Sequence, residues 1–99
     1  MVKHIIIWEL DKKLSDEEKL ESAKKIKAGL EGLKGVIDGL EEITVHIGLL
    51  GSSSGDLMLD STFTGTDALA GYQTNPEHLK VAAFVRSVTS HRSCADFEI

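Results

Sequence analysis

The fold of this chain is decided by the stretch Lys3-His4-Ile5-Ile6-Ile7-Trp8-Glu9-Leu10, close to its start. Three consecutive isoleucines are typical of a β-strand, because branched side chains pack well on a pleated surface. Alternation along a strand divides the stretch between two faces, with His4, Ile6, Trp8 and Leu10 on one and Lys3, Ile5, Ile7 and Glu9 on the other. Since both faces carry large apolar side chains, we expect a central strand of a sheet that is covered on both sides.

A helix and a second strand follow. Ser15 and Glu18 form a capping box, in which each side chain can bond a free backbone N–H at a helix start. Apolar residues then recur every three or four positions, which predicts a helix to about Lys34. Its inward stripe contains Leu20, Ala23, Ile26, Lys27, Leu30, Leu33 and Ile37. Apolar and polar residues alternate from Glu41 to Leu50 and predict the second strand.

The second half of the chain predicts two more strands with two helical segments between them. The polar stretch 51–55 is typical of a hairpin loop and leads into a third strand from Leu57 to Thr64. The alternating segment from Arg92 to Ile99 predicts the fourth strand.

Of the two helical segments, a short one over 68–72 precedes a longer one that runs to about Thr89. Asn75 caps the longer helix, and Pro76 stands at its first position, where a backbone N–H would have no helical partner.

The resulting order, β-α-β-β-α-β, predicts one α+β domain over residues 1–99 with the ferredoxin-like split arrangement. In that arrangement a four-stranded antiparallel sheet has its helices on one face. The other face would carry Ile, Val and Phe side chains, and no predicted element covers it. A chain of 99 residues buries only about two-thirds of its unfolded surface, so we expect a homodimer in which two sheets pack face to face.

Composition and charge exclude several classes of partner. The formal net charge is −5 and no basic patch offsets it, which argues against binding to nucleic acid. No apolar run approaches the ~20 residues that span a bilayer, so no membrane insertion is expected. Cys94 is the only cysteine, which excludes an intrachain disulfide and favours a reducing compartment. The start of the chain lacks the features of a signal peptide, and we predict a cytoplasmic protein.

A phenol and an imidazole stand six residues apart around the second helix start, at Tyr72 and His78. His78 falls at the third helical position, on a stripe with Ala82 and Val85 that would face the sheet. The helix N-terminus disfavours a protonated imidazole there, and a neutral imidazole near pH 7 can act as a general base. Tyr72 could supply or accept the matching hydrogen bond. In the alternative interpretation, His78 only caps the helix and Tyr72 packs at its edge.

His4 is a third candidate, because it shares a strand face with Ile6 and Trp8. The alternative is a buried strand histidine whose ring is hydrogen-bonded to a backbone group.

No metal or cofactor is predicted. A metal site that contained His4 and His78 would need a third ligand, for which Asp60 and Asp96 are candidates, but no pair has a His-x-x-x-His spacing. Arg92 and Asp96, four residues apart on one strand face, either form an ion pair at the rim or hold an anionic group of a ligand.

The chain resembles the stress-responsive A/B barrel (Dabb) family along essentially its whole length. The resemblance is carried by Val2 to Trp8, by Gly55 to Leu59 with Phe63, by Tyr72 to His78, and by Arg92 with Asp96-Phe97. It implies a homodimer whose two sheets form a closed α/β barrel, with a cavity between each sheet and its helices.

The resemblance implies more than one function, since one fold supports many. Many members have no assigned activity, some plant members are induced by stress, and one type is a polyketide cyclase. In the cyclase type, a tyrosine and a histidine act as acid/base partners, and these correspond to Tyr72 and His78. A histidine on the first strand lines the same cavity and corresponds to His4. The chain departs from the usual pattern at Asn75, where many members have histidine. It also has Leu57 at a position where the cyclase cavity carries another histidine.

Three functional hypotheses follow. In the first, the chain is a dimer that binds a small, mostly apolar molecule. In the second, it is an acid–base enzyme of the cyclase or cofactor-free monooxygenase type. In the third, it is a purely structural dimer. A cavity of ~300 Å³ or more would support the first two, and a packed interior would contradict both. Its expected lining comprises the catalytic candidates His4, Tyr72 and His78 and the ligand contacts Ile6, Trp8, Ala82, Val85 and Arg92.

Overall fold

The computed structural model describes all 99 residues and contains seven elements. In chain order they are β1 (Val2–Leu10), α1 (Asp16–Glu31), β2 (Leu40–Ile47), β3 (Leu57–Phe63), α2 (Thr66–Thr74), α3 (Pro76–Val88) and β4 (Thr89–Glu98). The predicted order is confirmed, although α1 ends three residues earlier and β4 begins three residues earlier than expected. None of the three helices has the length and apolar character needed to cross a bilayer.

The four strands form one antiparallel sheet in the order β2-β3-β1-β4, which confirms the ferredoxin-like arrangement. β1 is therefore central, as its apolar character on both faces predicted. The register places His4 opposite Ser61 on β3 and opposite Asp96 on β4. Residues opposite each other across antiparallel strands point to the same face, so the two ends of the chain contribute side chains to one site.

The helices cover one face of the sheet, and the core lies between them. On β1 the alternation is complete: Val2, His4, Ile6, Trp8 and Leu10 are buried and the residues between them are half-buried. Each fully buried large apolar side chain contributes about 1.5–3 kcal/mol to stability relative to an exposed one. The helix α1 adds Ala23, Ile26 and Leu30, and the turns after it add Leu33 and Ile37.

Two residues of the predicted α1 stripe behave differently from the rest. Leu20 is exposed, which corrects its assignment to the inward face. Lys27 is only half-buried, and its ammonium group donates to the Val45 carbonyl and to the Glu31 carboxylate, each at 2.7 Å. Its charged end thus reaches hydrogen-bond acceptors at the layer edge while its stem packs inward.

The opposite face of the sheet has no helix on it. Ile5, Ile7 and Met58 are half-buried there, and Phe97 is exposed. No valine belongs to this face, contrary to expectation, because Val45 points into the core. Lys3 pairs with Asp60 at 2.5 Å on the same face, which turns Asp60 away from the helices and removes it as a metal-ligand candidate beside His4.

The junction of α2 and α3 positions the site. The side chain of Asn75 accepts a hydrogen bond from the Glu77 N–H, and Pro76 begins α3, as predicted. Because α2 ends at Thr74, only Asn75 separates the two helices. The last turn of α2, with Tyr72, therefore lies beside the first turn of α3, with His78.

Candidate functional site

A cavity of about 260 Å³ lies between the helices and the inner face of the sheet. It is lined by all eight predicted site residues: His4, Ile6, Trp8, Tyr72, His78, Ala82, Val85 and Arg92. Four further residues complete the lining: Leu30, Leu59, Gln73 and Arg86. The volume is slightly below the expected 300 Å³, but the interior is not fully packed.

Tyr72 and His78 form a stacked pair. Their ring centroids are 3.9 Å apart and the ring planes differ by 28°. The hydrogen bond that the sequence suggested between them is absent, because the short junction at Asn75 brings the rings face to face. Stacking fixes both rings against the cavity and leaves their polar atoms available to a third group.

The Tyr72 hydroxyl is a buried polar group with no hydrogen-bond partner in the protein. The residue is 1% exposed and packs against Phe63, with ring centroids 4.9 Å apart. Burial raises the pKa of Tyr72 far above its usual value of 10, and the positive charge of Arg92 offsets only part of this effect. The phenol is therefore neutral and can donate a hydrogen bond.

His78 is half-buried, and its Nδ1 also has no hydrogen-bond partner in the protein. Burial is the main cause that lowers the pKa of His78 below its usual 6.5, followed by the repulsion that a protonated His4 would exert. The backbone of Tyr72 and Gln73 acts in the opposite direction, and Arg86 adds a further lowering of this pKa. The predicted neutral imidazole is thus supported, although burial contributes more to it than the sequence argument assumed.

His4 is 1% exposed, and its ring is bonded to a carboxylate. Nδ1 contacts the Asp96 carboxylate, while the backbone carbonyl of His4 accepts from the Ser61 hydroxyl at 2.8 Å. The alternative of a ring hydrogen-bonded to the backbone is therefore wrong. Because an ionised carboxylate only accepts, neutral His4 carries its proton on Nδ1 and leaves Nε2 as an acceptor.

Arg92 and Asp96 do not form the ion pair considered from the sequence, since Asp96 bonds to His4 instead. Arg92 and Arg86 both line the cavity, so its rim carries two guanidinium groups. Cys94 lies between Arg92 and Asp96 on the same strand face, and its thiol can donate to Asp96 at 3.7 Å. Burial and the negative charge of Asp96 raise the pKa of Cys94, so the thiol is not an activated nucleophile.

Sequence reasoning missed five residues of the site. Leu30 belongs to the predicted inward stripe of α1, and strand alternation puts Leu59 on the same face as the buried Leu57 and Phe63, so periodicity could have added both to the cavity. Gln73 and Arg86 left no such signal, because their places depend on how α2 and α3 pack. Asp96 was noted but assigned to Arg92, since only the strand register shows that it lies opposite His4.

Comparisons with known proteins agree with this architecture. The family model described as "Stress responsive A/B Barrel Domain" matches residues 2–99. A comparison with curated proteins found no match.

Three solved structures illustrate the range of similar proteins. A dimeric protein of unknown function with a ferredoxin-like fold from Bacteroides fragilis has a TM-score of 0.92 and 28% identity, over 99% of this chain and 95% of that one. A dimeric ferredoxin-like protein of unknown function from Thermobifida fusca has a TM-score of 0.81 and 19% identity, and the match covers 99% of this chain and 90% of that one. A hydroxynitrile lyase from Passiflora edulis has a TM-score of 0.79 and 16% identity, and the match covers 99% of this chain and 92% of that one. At such identities the last two similarities show the fold alone.

The unpartnered hydroxyl of Tyr72 leads to a prediction about stability. Tyr72→Phe removes a buried polar group that has no partner, so we expect the free energy of unfolding to stay unchanged or rise by about 1 kcal/mol. Ser61→Ala is the matched control, because it removes a buried hydroxyl that does have a partner and should lower stability by about 1 kcal/mol. Urea unfolding of both variants measures the difference. Equal losses of stability in the two variants would show that the Tyr72 hydroxyl is bonded within the folded protein.

Proposed function

The chain belongs to the stress responsive A/B barrel domain family, and on this premise we propose that it is a homodimer that binds a small, mostly apolar molecule in the cavity between sheet and helices. The observation that supports this proposal is the pair of unpartnered buried atoms, Tyr72 Oη and His78 Nδ1, on residues that line one cavity. Buried polar groups are nearly always hydrogen-bonded in folded proteins. A ligand with a polar atom between the two rings would supply the missing partner.

The walls of the cavity indicate the chemistry of this ligand. More than half of the lining residues are apolar, and Trp8 and Tyr72 offer aromatic surface to a flat molecule. The volume of about 260 Å³ suits a ligand smaller than a typical drug molecule. Arg86 and Arg92 favour a ligand with a negative end, such as a carboxylate or a phenolate.

The binding proposal predicts that filling the cavity abolishes binding. Ala82→Phe places a ring in the space that Ala82 lines, whereas Ala83→Phe adds the same ring at an exposed neighbouring position. Titration with benzoate, followed by NMR, should show affinity at least about tenfold weaker in the first variant, a loss of about 1.4 kcal/mol, and unchanged in the second. Arg92→Gln should weaken the binding of benzoate but not of benzyl alcohol. If neither probe shifts resonances of the cavity residues, the binding proposal fails and a purely structural dimer becomes the better hypothesis.

Dimerisation is supported by the sheet face that carries no helix. Ile5, Ile7, Met58 and Phe97 form an apolar patch there, and packing it against the same patch of a second copy would remove it from water. Two of the similar structures are described as dimeric proteins. The predicted cytoplasmic location stays a prediction.

The dimer proposal predicts that a charge at the centre of this face produces monomers. Ile7→Lys would place an ammonium group on the central strand of the patch. Leu20→Lys is the matched control, because Leu20 is 52% exposed on α1, on the other side of the sheet. Sedimentation at micromolar concentration should give twice the chain mass of 10.8 kDa for the wild type and the control, and the monomer mass for Ile7→Lys. A wild-type monomer would contradict the proposal.

A second candidate function is a cofactor-free acid–base enzyme, and the bond between His4 and Asp96 favours it. A carboxylate that holds a histidine in one tautomer leaves the other ring nitrogen free to accept a proton. His4 lines the cavity beside Tyr72, whose neutral phenol can donate a hydrogen bond to developing negative charge, with ring centroids 6.1 Å apart. The neutral ring of His78 adds a second acceptor in the same cavity.

The acid–base candidate can be tested without its natural substrate. When a base removes the ring C–H proton of 5-nitrobenzisoxazole, the N–O bond breaks and a coloured cyanophenolate forms. We expect the wild type to accelerate this reaction, and Tyr72→Phe and His78→Gln each to reduce the rate by about 10²-fold. His91→Gln is the matched control, since His91 is exposed and should leave the rate unchanged. If Tyr72→Phe and His78→Gln keep the full rate, the acid–base candidate is wrong while the binding proposal stands.

A further inference from the structure

A cluster of three potential metal ligands lies at the edge of the cavity, where β1 meets β4. Nδ1 of His4, the thiol sulfur of Cys94 and a carboxylate oxygen of Asp96 all lie within 4.8 Å of one another. The register explains the cluster: Asp96 is directly opposite His4, and Cys94 is two residues before Asp96 on the same strand face. The sequence could not show it, because 90 residues separate His4 from Cys94.

We propose that His4, Cys94 and Asp96 form a binding site for a single Zn²⁺ ion. Imidazole, thiolate and carboxylate are the three ligand types of protein zinc sites. From ordinary zinc–ligand bond lengths, a tetrahedral ion sets its ligand atoms roughly 3.5 Å apart. The sulfur of Cys94 already lies 3.8 Å from His4 Nδ1 and 3.7 Å from Asp96 Oδ1. Only the His4–Asp96 contact must open, by rotation of the Asp96 side chain.

Burial and exposure at the cluster suit an ion that enters from solvent. The side chain of His4 is 2% exposed and that of Asp96 is 40% exposed, so one ligand is held rigidly and another can adjust. Cys94 is exposed as well, which leaves the outer side of the cluster open to water as a fourth ligand. Thiolate and imidazole together favour zinc over magnesium or calcium, which prefer oxygen ligands.

Ion binding would change the protonation pattern of the cluster. The Cys94 thiol gives up its proton to solvent when the sulfur binds the metal. The imidazole proton of His4 leaves Nδ1, which becomes a ligand, and a proton is taken up at Nε2. The net result is one proton released per ion, and His4 then presents an N–H donor in place of an acceptor. An effect of this proton change on catalysis rests on the acid–base candidate being correct. The metal-site proposal does not rest on that candidate.

The site is tested by titrating the reduced 99-residue protein with Co²⁺ and then displacing the cobalt with Zn²⁺. A thiolate ligand gives cobalt a charge-transfer absorption in the near ultraviolet, and we expect this band to saturate at one ion per chain. Cys94→Ser should abolish the band and, like Asp96→Asn, weaken zinc affinity at least tenfold. Both substitutions lie at exposed positions, so folding is preserved and can be checked by circular dichroism. His91→Gln and His46→Gln are controls that remove exposed histidines and should change nothing.

The ring nitrogens of His4 supply a readout that is independent of affinity. In ¹⁵N-detected spectra, Zn²⁺ should convert Nδ1 from a protonated nitrogen to a metal-bound one and protonate Nε2. No thiolate band in the wild type, zinc affinity unchanged by both Cys94→Ser and Asp96→Asn, or a His4 ring unaffected by bound zinc would each overturn the proposal. Loss of binding in a control variant instead would show an adventitious surface-histidine site only.

Discussion

The antiparallel pairing of β1 with both β3 and β4 is the constraint on which the rest of the structure depends. Both edges of β1 are hydrogen-bonded to neighbouring strands, so this strand can contribute further contacts only through its two faces. The inner face of β1 supplies His4, Ile6 and Trp8 to the cavity. The outer face supplies Ile5 and Ile7 to the proposed dimer interface. One nine-residue strand thus contributes to the core, to the cavity and to the proposed subunit contact.

The site combines groups whose positions are fixed for different physical reasons. Tyr72 and His78 are stacked because a single cap residue, Asn75, separates the helices that carry them. His4 is held by a cross-strand bond to Asp96, which depends only on strand register. Both arrangements line the same cavity of about 260 Å³. Two buried atoms without partners, Tyr72 Oη and His78 Nδ1, are a cost to the free protein that a ligand would relieve.

The fold was predictable from the sequence because its signals are local. The triple isoleucine, the capping box at Ser15 and the Asn75-Pro76 helix start each depend on neighbouring residues, and the structure confirms all three. The exact ends of the helices and strands, and the face on which an individual side chain lies, were less predictable. Leu20 continues the apolar stripe of α1 in sequence but is exposed in the structure.

The sequence by itself determined the element order, the central strand and eight of the twelve residues that line the cavity, since periodicity assigns each side chain to a face. Only the tertiary structure decided how those side chains meet. It replaced the suggested Tyr72–His78 hydrogen bond with a stack, and it joined Asp96 to His4 rather than to Arg92. The physical reason is that such contacts depend on strand register and helix packing, which bring together residues from opposite ends of the chain and leave no local pattern.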